Sequence, residues 1–412
     1  MSELSNFKKI YCRFTLKYHG IELNRVISIE LWQIANHKIN FSLRQLLMYI
    51  FKYQNVHLMD LTGKILTTSG ACGRKDHIDL YRQVIEKMDE GSHYNDPDSW
   101  GNRYCIHPFL IAKTLIKTFK ILKNSGLSIK EKIDLAAESI YYCNTLIELE
   151  KLDYSNINKY VCEIDVRRFE NLLTQLMQLR GVETFSMAEG LLYIFKGEIP
   201  VDSLHYVAIT TDKLLCWGQY TIDEYGSYGI DKSRLMLAGY PKKVDIKSML
   251  PTSNLKTCMV LVARTQFNEA NMRLLNILKK RTDEYDFYLK LHPSCDYDMY
   301  AKFAEENNMY MIEMSKSLDE CLKQGEYDWA IAVNTTAYYE SLMRGVPCLR
   351  FGDESYYLPK GSDDIFVNLQ EMDEKLLNLK NKSLSAYQTE VDDILRYTMG
   401  IGIDNYKKLL LS

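Results

Sequence analysis

The sequence predicts an α/β protein with two doubly wound parallel sheets that face a cleft, and with extra helices in its N-terminal half. Short apolar segments alternate with helical ones twice, over residues 159–239 and 257–352. Residues 240–256 separate these runs; they contain two prolines and mixed charges and show no hydrophobic period. The length of 412 residues also exceeds what one compact core commonly accommodates. Two domains in series are therefore expected.

The first half of the chain is rich in helical patterns. Apolar residues recur at helical spacing, and Ser128 is placed to cap one of the helices. Helices are predicted at 41–53, 78–91, 108–126 and 127–153. Residues 54–61 predict a buried strand, and residues 65–77 predict a strand end that opens into a glycine-containing loop.

Both alternating runs predict parallel strands covered by helices. In the first run the predicted strands are 159–165, 182–188, 213–218 and 234–239, with a helix at 167–181. In the second run the strands are 257–263, 285–293, 309–313, 328–334 and 346–352, with helices at 268–282, 299–308, 317–325 and 337–345. Further helices are expected near the C-terminus.

Composition excludes several classes of function. The net charge of −3 and pI of about 6.3 give no basic excess for a nucleic-acid partner. The ten cysteines are scattered without a CxxC pair, which favours free thiols in a reducing cytosol over a zinc or redox motif. No apolar window reaches membrane-span length, and the first residues lack the apolar core of a signal peptide. We expect a cytoplasmic protein.

A candidate phosphate site follows the strand that ends at Val333. Asn334, Thr335 and Thr336 stand where a helix begins, at the carboxyl edge of a parallel sheet. Glu340 lies within reach of the first turn and could accept hydrogen bonds from ribose or sugar hydroxyls. The alternative is that Asn and Thr merely cap the helix.

A second candidate is the stretch KLHPS, in which a buried strand ends at His292 and Pro293. A histidine at a strand end could donate to a phosphate oxygen and, when protonated, offset charge on a leaving nucleotide. Ser294 could add a hydroxyl. The alternative is a turn histidine satisfied by backbone, since His107 and Pro108 repeat the same pair at a predicted helix start.

These segments carry a family resemblance. KLHPS, NTTAYYESLMRGVPCLRF and KLLCWGQYTIDEYGSYGIDKSRLMLAGYPK resemble passages of GT-B glycosyltransferases. The closer similarity is to bacterial capsule and teichoic-acid transferases related to CDP-glycerol glycerophosphotransferases, and to sialyltransferases with an HP motif. The resemblance covers roughly residues 159–352.

The resemblance implies a GT-B-like pair of Rossmann-type domains. Residues 1–240 would bind the acceptor, 241–256 would link the domains, and 257–390 would bind the nucleotide donor. Residues 391–412 would form helices that pack back on the N-terminal domain, and Gly239 would lie in the interdomain hinge.

The resemblance also implies roles at the donor site. His292 would neutralise the nucleotide phosphates, Thr335 and Thr336 would bind them, and Glu340 would hold the ribose or sugar. Arg264, in the loop after the first strand of the second run, is placed to reach a diphosphate. No DxD motif stands at a convincing strand end, so no metal and no cofactor beyond the donor itself is expected.

The chain departs from the family where a strand commonly ends in Gln-His-Gly. Ala188, Glu189 and Gly190 stand there instead, so Glu189 is a candidate general base; the alternative is a cap or ion-pair role. Asp76, in the loop after the early strand, is the second candidate, with a solvated turn as its alternative.

The expected function is inverting, metal-independent transfer of a sugar from a nucleotide donor to a saccharide or lipid-linked saccharide acceptor in capsule-type surface polysaccharide synthesis. The segment FKKIYCRFTLKYHG is a candidate for peripheral contact with the inner membrane face, with a solvated face as the alternative. Transfer of glycerol phosphate or sugar phosphate from a CDP-linked donor, a non-catalytic GT-B-like partner and an epimerase of related fold are the rival hypotheses.

Overall fold

The structure is a computed structural model. It describes residues 3–38, 42–70, 75–88, 92–188, 190–191, 204–242, 255–323, 326–354, 357–358, 361–400 and 402–411, with only the backbone for residues 75, 76, 205 and 323.

The helices are α1 (Glu3–Arg13), α2 (Leu23–Val26), α3 (Ser28–Ala35), α4 (Leu43–Phe51), α5 (Lys75–Lys87), α6 (Pro108–Ile121), α7 (Ile129–Leu149), α8 (Arg168–Leu179), α9 (Leu204–Ala208), α10 (Gln219–Ser227), α11 (Asn268–Leu278), α12 (Tyr297–Glu306), α13 (Leu318–Lys323), α14 (Ala337–Met343), α15 (Leu369–Asn381), α16 (Leu384–Thr398) and α17 (Asp404–Leu411). The strands are β1 (Lys17–Tyr18), β2 (Ile21–Glu22), β3 (Lys52–Gln54), β4 (Ile65–Thr68), β5 (Ser92–Asn95), β6 (Asn102–Tyr104), β7 (Lys159–Cys162), β8 (Glu183–Met187), β9 (Lys213–Cys216), β10 (Leu235–Leu237), β11 (Thr257–Val262), β12 (Asp286–Leu291), β13 (Tyr310–Met311), β14 (Trp329–Ala332), β15 (Cys348–Phe351) and β16 (Ile365–Phe366).

The N-terminal sheet has six strands in the order β10-β9-β8-β7-β4-β5, and every pair is parallel. All four residues of β4 are buried, as a strand covered by helices on both faces requires. In chain order the arrangement is 2-1-3-4-5-6, so the direction of winding changes between β4 and β7. Ligands in such sheets bind outside the carboxyl ends of the strands at this switch point.

The C-terminal sheet also has six parallel strands, in the order β13-β12-β11-β14-β15-β16. This is the 3-2-1-4-5-6 order of dinucleotide-binding domains, and its switch point lies between β11 and β14. Val260 of β11 is the Cα partner of Leu289 on one side and of Ile331 on the other. The predicted pair of doubly wound parallel sheets is therefore confirmed.

The predicted buried strand at residues 54–61 is wrong. β3 ends at Gln54, and Val56–Leu58 forms a single 3₁₀ turn in which Val56 is buried and Leu58 is exposed. β3 pairs with β6 alone, in an antiparallel ribbon of two strands. A two-stranded ribbon buries little apolar surface. Val56 is buried although it lies in a turn and not in a strand.

The predicted cap of the long helix α7 is confirmed at Ser128. The Ser128 hydroxyl accepts from the Glu131 backbone N–H at 3.2 Å, and the Glu131 carboxylate accepts from the Ser128 N–H at 2.7 Å. This reciprocal pair satisfies two of the donors that a helix start leaves open.

The last helix packs against the N-terminal sheet. The Tyr406 hydroxyl donates to the Gly239 carbonyl at 2.8 Å, and the Lys159 ammonium donates to the Leu410 carbonyl at 3.1 Å. Gly239 has a φ of +96°, and a β-carbon there would meet the Gly402 backbone at 3.1 Å. The returning chain thus crosses the predicted hinge at a position where only glycine fits. None of the helices in the described part of the chain combines the length and apolar character that crossing a membrane requires.

Candidate functional site

The predicted donor-site residues lie on three neighbouring strand ends of the C-terminal sheet. Arg264 follows β11, His292 follows β12, and Thr335 follows β14. Because β12 and β14 flank β11 and adjacent strands are about 4.8 Å apart, the two outer strand ends are separated by roughly 10 Å. The structure therefore brings these residues to one sheet edge, around the switch point.

A small, partly open pocket lies beside this switch point; the roughly 200 Å³ of non-atom space in it includes open solvent. It is lined by Ala332, Val333, Asn334, Thr335, Tyr338, Tyr339, Arg350 and Leu358. Backbone at a strand end, aromatic rings and a small number of polar groups are the usual lining of a small-molecule site.

Asn334 is the most informative residue of this cavity. Its side chain is 5 % exposed, and within the described part of the chain neither Nδ2 nor Oδ1 has a hydrogen-bond partner. A buried amide left without partners costs about 1–3 kcal/mol, and such groups in native proteins commonly have a partner that the protein alone does not supply. The amide presents one donor and one acceptor edge to whatever enters the cavity.

The two threonines next to Asn334 differ in their local roles. The Thr335 hydroxyl accepts from the Ala337 N–H at 3.3 Å, which is a local bond in the turn that precedes α14. Thr336 occupies the N-cap position of α14, but its side chain makes no capping hydrogen bond. Both side chains are half-buried, and only Thr335 lines the pocket.

His292 has a defined tautomer in this structure. The Ser294 backbone N–H donates to Nδ1 at 3.1 Å, and the Ser294 hydroxyl lies 2.9 Å from the same nitrogen. Because a backbone N–H only donates, Nδ1 is an acceptor and the neutral ring carries its proton on Nε2. The alternative prediction of a backbone-satisfied turn therefore holds for one ring nitrogen, and the other is a donor.

Hydrogen bonds connect the loop that carries Arg264 to the loop that carries His292. The Thr265 N–H donates to the Ser294 hydroxyl at 3.3 Å, and the Thr265 hydroxyl donates to the Ser294 carbonyl. The Cys295 thiol donates to the Ala263 carbonyl at 3.2 Å. These bonds hold Arg264 and His292, the two candidate phosphate-binding residues, at adjacent strand ends.

Arg350 lines the cavity but its charge is already paired. Its Nη2 lies 2.7 Å from the Asp364 carboxylate, and both side chains are more than nine-tenths buried. The guanidinium also lies 4.7 Å from the centroid of the Tyr338 ring. A β-carbon at Gly361 would fall 2.0 Å from the guanidinium, so glycine is required there. We infer that Arg350 shapes the cavity wall.

Glu340 extends from α14 toward the N-terminal domain. Burial raises the pKa of the Tyr240 hydroxyl, and the nearby Glu340 carboxyl raises that pKa further. The Glu340 carboxyl therefore lies within electrostatic range of Tyr240, and Glu340 is not among the residues that line the pocket.

The switch point of the N-terminal sheet carries a buried polar cluster that the sequence prediction missed. Glu163 follows β7, Ser69 follows β4, and both are buried. The Ser69 hydroxyl donates to Glu163 Oε2 at 2.7 Å, and His77 Nδ1 lies 3.2 Å from Oε1. The Arg167 guanidinium lies 3.8 Å from the same carboxylate. Ser69 directly follows β4, and the strand-end argument could have found it. Glu163 lies inside the strand predicted at 159–165, so that argument missed it; the observed β7 ends earlier, at Cys162.

Glu170 is the second carboxyl group of this cluster. It accepts from the Thr68 hydroxyl at 3.0 Å and from the Glu163 backbone N–H at 3.1 Å. Burial raises the pKa of Glu170 well above its ordinary value, and the neighbouring Glu163 carboxyl raises it further. Glu163 and Glu170 thus place two buried carboxyl groups next to each other at this sheet edge.

The two predicted base candidates stay predictions. Glu189 lies outside the described residues; its neighbour Ala188 directly follows β8, the strand beside β7. Asp76 falls in the first turn of α5, one residue before His77, and its side chain is likewise outside the described part.

Comparison with known proteins shows the fold. No family model and no curated protein sequence matches the chain. Among solved structures, Staphylococcus aureus MnaA with UDP matches with a TM-score of 0.50 and 14 % identity, over 85 % of this chain and 95 % of that one. The lipopolysaccharide outer core galactosyltransferase WaaB matches with a TM-score of 0.47 and 13 % identity, over 84 % and 99 %. The UDP-GlcNAc 2-epimerase of Methanocaldococcus jannaschii matches with a TM-score of 0.46 and 11 % identity, over 84 % and 98 %.

The protein has the GT-B fold, in agreement with the fold class that the sequence predicts.

Proposed function

We propose that the protein is a glycosyltransferase that moves a sugar from a nucleotide-activated donor to a hydroxyl acceptor, with inversion and without a metal ion. The observation that carries this proposal is Asn334, a buried amide without a partner among the described residues, in a cavity at the switch point of a 3-2-1-4-5-6 sheet. Ligands of such sheets bind at this point. A fold neighbour solved with UDP supports a nucleotide as the ligand.

The donor would occupy the cavity with its diphosphate toward β11 and β12. The Asn334 amide would pair with a donor–acceptor edge of the base or ribose, and Glu340 would accept from ribose or sugar hydroxyls. His292 Nε2, the Arg264 guanidinium and the hydroxyls of Ser294, Thr335 and Thr336 would bind the phosphates. The Nε2–H of His292 would donate to the oxygen on which charge grows as the nucleotide departs.

Replacement of Asn334 by leucine tests the donor cavity. A nucleotide present at about 100 times its dissociation constant stabilises the folded state by about 2.7 kcal/mol, so the matching nucleotide raises the melting temperature of the wild type. Asn334→Leu is expected to abolish this shift. The ligand-free variant should melt no lower than the wild type, because the substitution removes a buried amide without a partner.

The measurement is a thermal-shift screen with UDP, CDP, GDP and CMP. Asn276→Leu, at an exposed position on α11, is the matched control and should keep the full shift. A wild type that responds to no nucleotide, or a variant that responds as the wild type does, would contradict the proposed donor site.

The acceptor would enter at the carboxyl edge of the N-terminal sheet, where a general base removes its proton. Glu189 and Asp76 are the predicted bases, and the His77–Glu163 pair is the candidate that the structure adds at the same edge. In such a pair the carboxylate orients the imidazole that takes the proton.

Three single variants separate these candidates. Glu189→Gln, Asp76→Asn and His77→Gln are compared, and the true base is expected to lower kcat by about 10²- to 10⁴-fold with the donor KM nearly unchanged. His93→Gln is the control, since His93 also pairs with a carboxylate, Asp60 at 3.0 Å, but lies on β5 before the strand end. Wild-type rates in all three variants would show that the base lies elsewhere.

The finer parts of the proposal concern the pathway and the place. We propose a capsule-type surface polysaccharide as the product, a saccharide or lipid-linked saccharide as the acceptor, and the cytoplasmic side of the membrane as the location.

Product analysis separates sugar transfer from transfer of glycerol phosphate or sugar phosphate. If the protein converted the nucleotide sugar to its epimer in the absence of an acceptor, we would conclude that it is an epimerase and not a transferase. A non-catalytic partner would show no turnover, and Glu189→Gln or His292→Ala would then change nothing.

A further inference from the structure

Helix α6 presents apolar side chains to solvent on the face opposite its packed side. Its buried residues Leu110, Thr114 and Thr118 follow the four-residue helical spacing and contact the core. On the opposite side Phe109 is 89 % exposed and Ile116 is 69 % exposed. The solvent-facing side of an amphipathic helix is commonly polar. An exposed phenylalanine and isoleucine on the side opposite the core therefore suggest an interaction surface.

Lysines share this outward face. Lys113 and Lys120 project between and beside Phe109 and Ile116, and Lys117 lies at the edge of the same face. In the described part of the chain no ion pair involves any of these three lysines. All three lysine side chains are exposed.

The apolar and basic surface continues beyond the helix. Tyr104 and Ile106, which precede α6, are 79 % and 69 % exposed. β6 pairs with β3, the Lys52 ammonium lies 4.8 Å from the Tyr104 ring centroid, and α4 leads into β3. Residues 42–54 and 99–130 together contain eight lysines and arginines and no aspartate or glutamate, in a chain whose net charge is −3. We call this surface, with the outward face of α6 at its centre, the α6 face.

The segment FKKIYCRFTLKYHG, which the sequence predicted for membrane contact, buries its large apolar side chains in α1 instead of exposing them. In α1, the side chains of Phe7, Ile10 and Tyr11 are buried in the core. The exposed residues of this helix are Ser5, Lys8, Lys9 and Cys12, none of which has a large apolar side chain. A membrane-surface helix needs apolar side chains on its exposed face as well as charge. The α6 face has both, and α1 has the charge alone.

We propose that the α6 face binds the surface of a bilayer that contains anionic phospholipid. Phe109, Ile116, Tyr104 and Ile106 would enter the interfacial layer, and the lysines would reach the lipid phosphates with their methylene stems along the apolar surface. A second copy of the chain is the poorer partner. A two-fold contact through this face would set lysines against lysines with no carboxylate on the segment to pair them. This deepens the proposed function by locating the enzyme, and its test measures binding, so either proposal can fail alone.

The test is co-sedimentation of the full chain with vesicles of phosphatidylcholine alone and of phosphatidylcholine with about one third phosphatidylglycerol. The wild type is expected to bind the anionic vesicles at least about ten-fold more strongly, with the difference shrinking as salt rises. Lys113→Gln/Lys120→Gln should weaken this binding about 20- to 30-fold, since each lysine contributes about five-fold. Phe109→Ser/Ile116→Ser should weaken it about ten-fold or more.

Matched double variants control for charge and for exposed apolar surface. Lys8→Gln/Lys9→Gln removes the same charge from α1, and Leu377→Ser/Leu384→Ser removes two exposed leucines from the C-terminal helices. Both should bind as the wild type does, and all variants should melt as it does because the substituted side chains are exposed. Equal binding to both vesicles, or equal losses in the controls, would overturn the proposal. So would a dimer that Phe109→Ser/Ile116→Ser dissociates while vesicle binding persists.

Discussion

Replacement of His292 by alanine is expected to lower kcat/KM by about 10²- to 10³-fold, which is the usual cost of removing one donor to a developing negative charge. The ring stands at the end of β12 and carries its proton on Nε2, because Nδ1 accepts from the Ser294 N–H at 3.1 Å. The substitution therefore removes the Nε2 donor at this strand end. Its loss matters most in the transition state, where charge builds on the departing nucleotide.

Steady-state kinetics with the nucleotide that the thermal-shift screen identifies would measure this effect. His107→Ala is a matched control, since His107 also precedes a proline but stands at the start of α6 and not at a strand end. With a water-soluble acceptor its rate should equal that of the wild type. If His292→Ala retained full kcat/KM, or if both variants lost the same amount, the role of His292 would be refuted.

Replacement of Asp364 by alanine is expected to lower the free energy of unfolding by about 3–5 kcal/mol, because it leaves the Arg350 guanidinium buried without its carboxylate. Asp364 accepts from Arg350 Nε at 3.0 Å and from Nη2 at 2.7 Å, so the pair is bidentate. The loss corresponds to a fall in the melting temperature of roughly 6–20 °C for a domain of this size.

The neighbouring residue supplies the control for this prediction. Asp363 is 74 % exposed and forms a surface ion pair with Lys375 at 2.6 Å. Asp363→Ala should cost no more than about 1 kcal/mol, as exposed ion pairs do. Calorimetry and urea unfolding would measure both variants. Similar losses for the two, or a loss below about 1 kcal/mol for Asp364→Ala, would show that the buried pair adds little.

Whether a segment forms a helix or a strand could mostly be predicted from its local hydrophobic pattern. Apolar runs such as those of β4, β11 and β14 are buried on both faces, and a run of this kind is visible in the sequence without knowledge of its partners. The Ser128 cap was also predictable, because its two partners lie three residues apart. The short strands β5 and β16 were missed, since only neighbouring strands make residues 92–95 and 365–366 part of a sheet.

The position of the candidate donor-site residues at one sheet edge was predictable, because a residue that follows a parallel strand reaches the carboxyl edge in any such sheet. Their role in binding a donor stays a prediction. That rule placed Arg264, His292 and Thr335 at one edge before their strand order was known. It did not show that Asn334 would be buried without a partner, since burial depends on Tyr338, Tyr339 and Leu358 around it.

By itself, then, the sequence determined the α/β class, most helices and strands, and which residues end strands, since these depend on neighbours along the chain. The tertiary structure alone decided the two strand orders, and with them the switch points that define the sites. It alone brought His77 to Glu163, 86 residues away, and left Phe109 and Ile116 on the open face of α6. These outcomes rest on contacts between distant segments, which a local hydrophobic pattern does not encode.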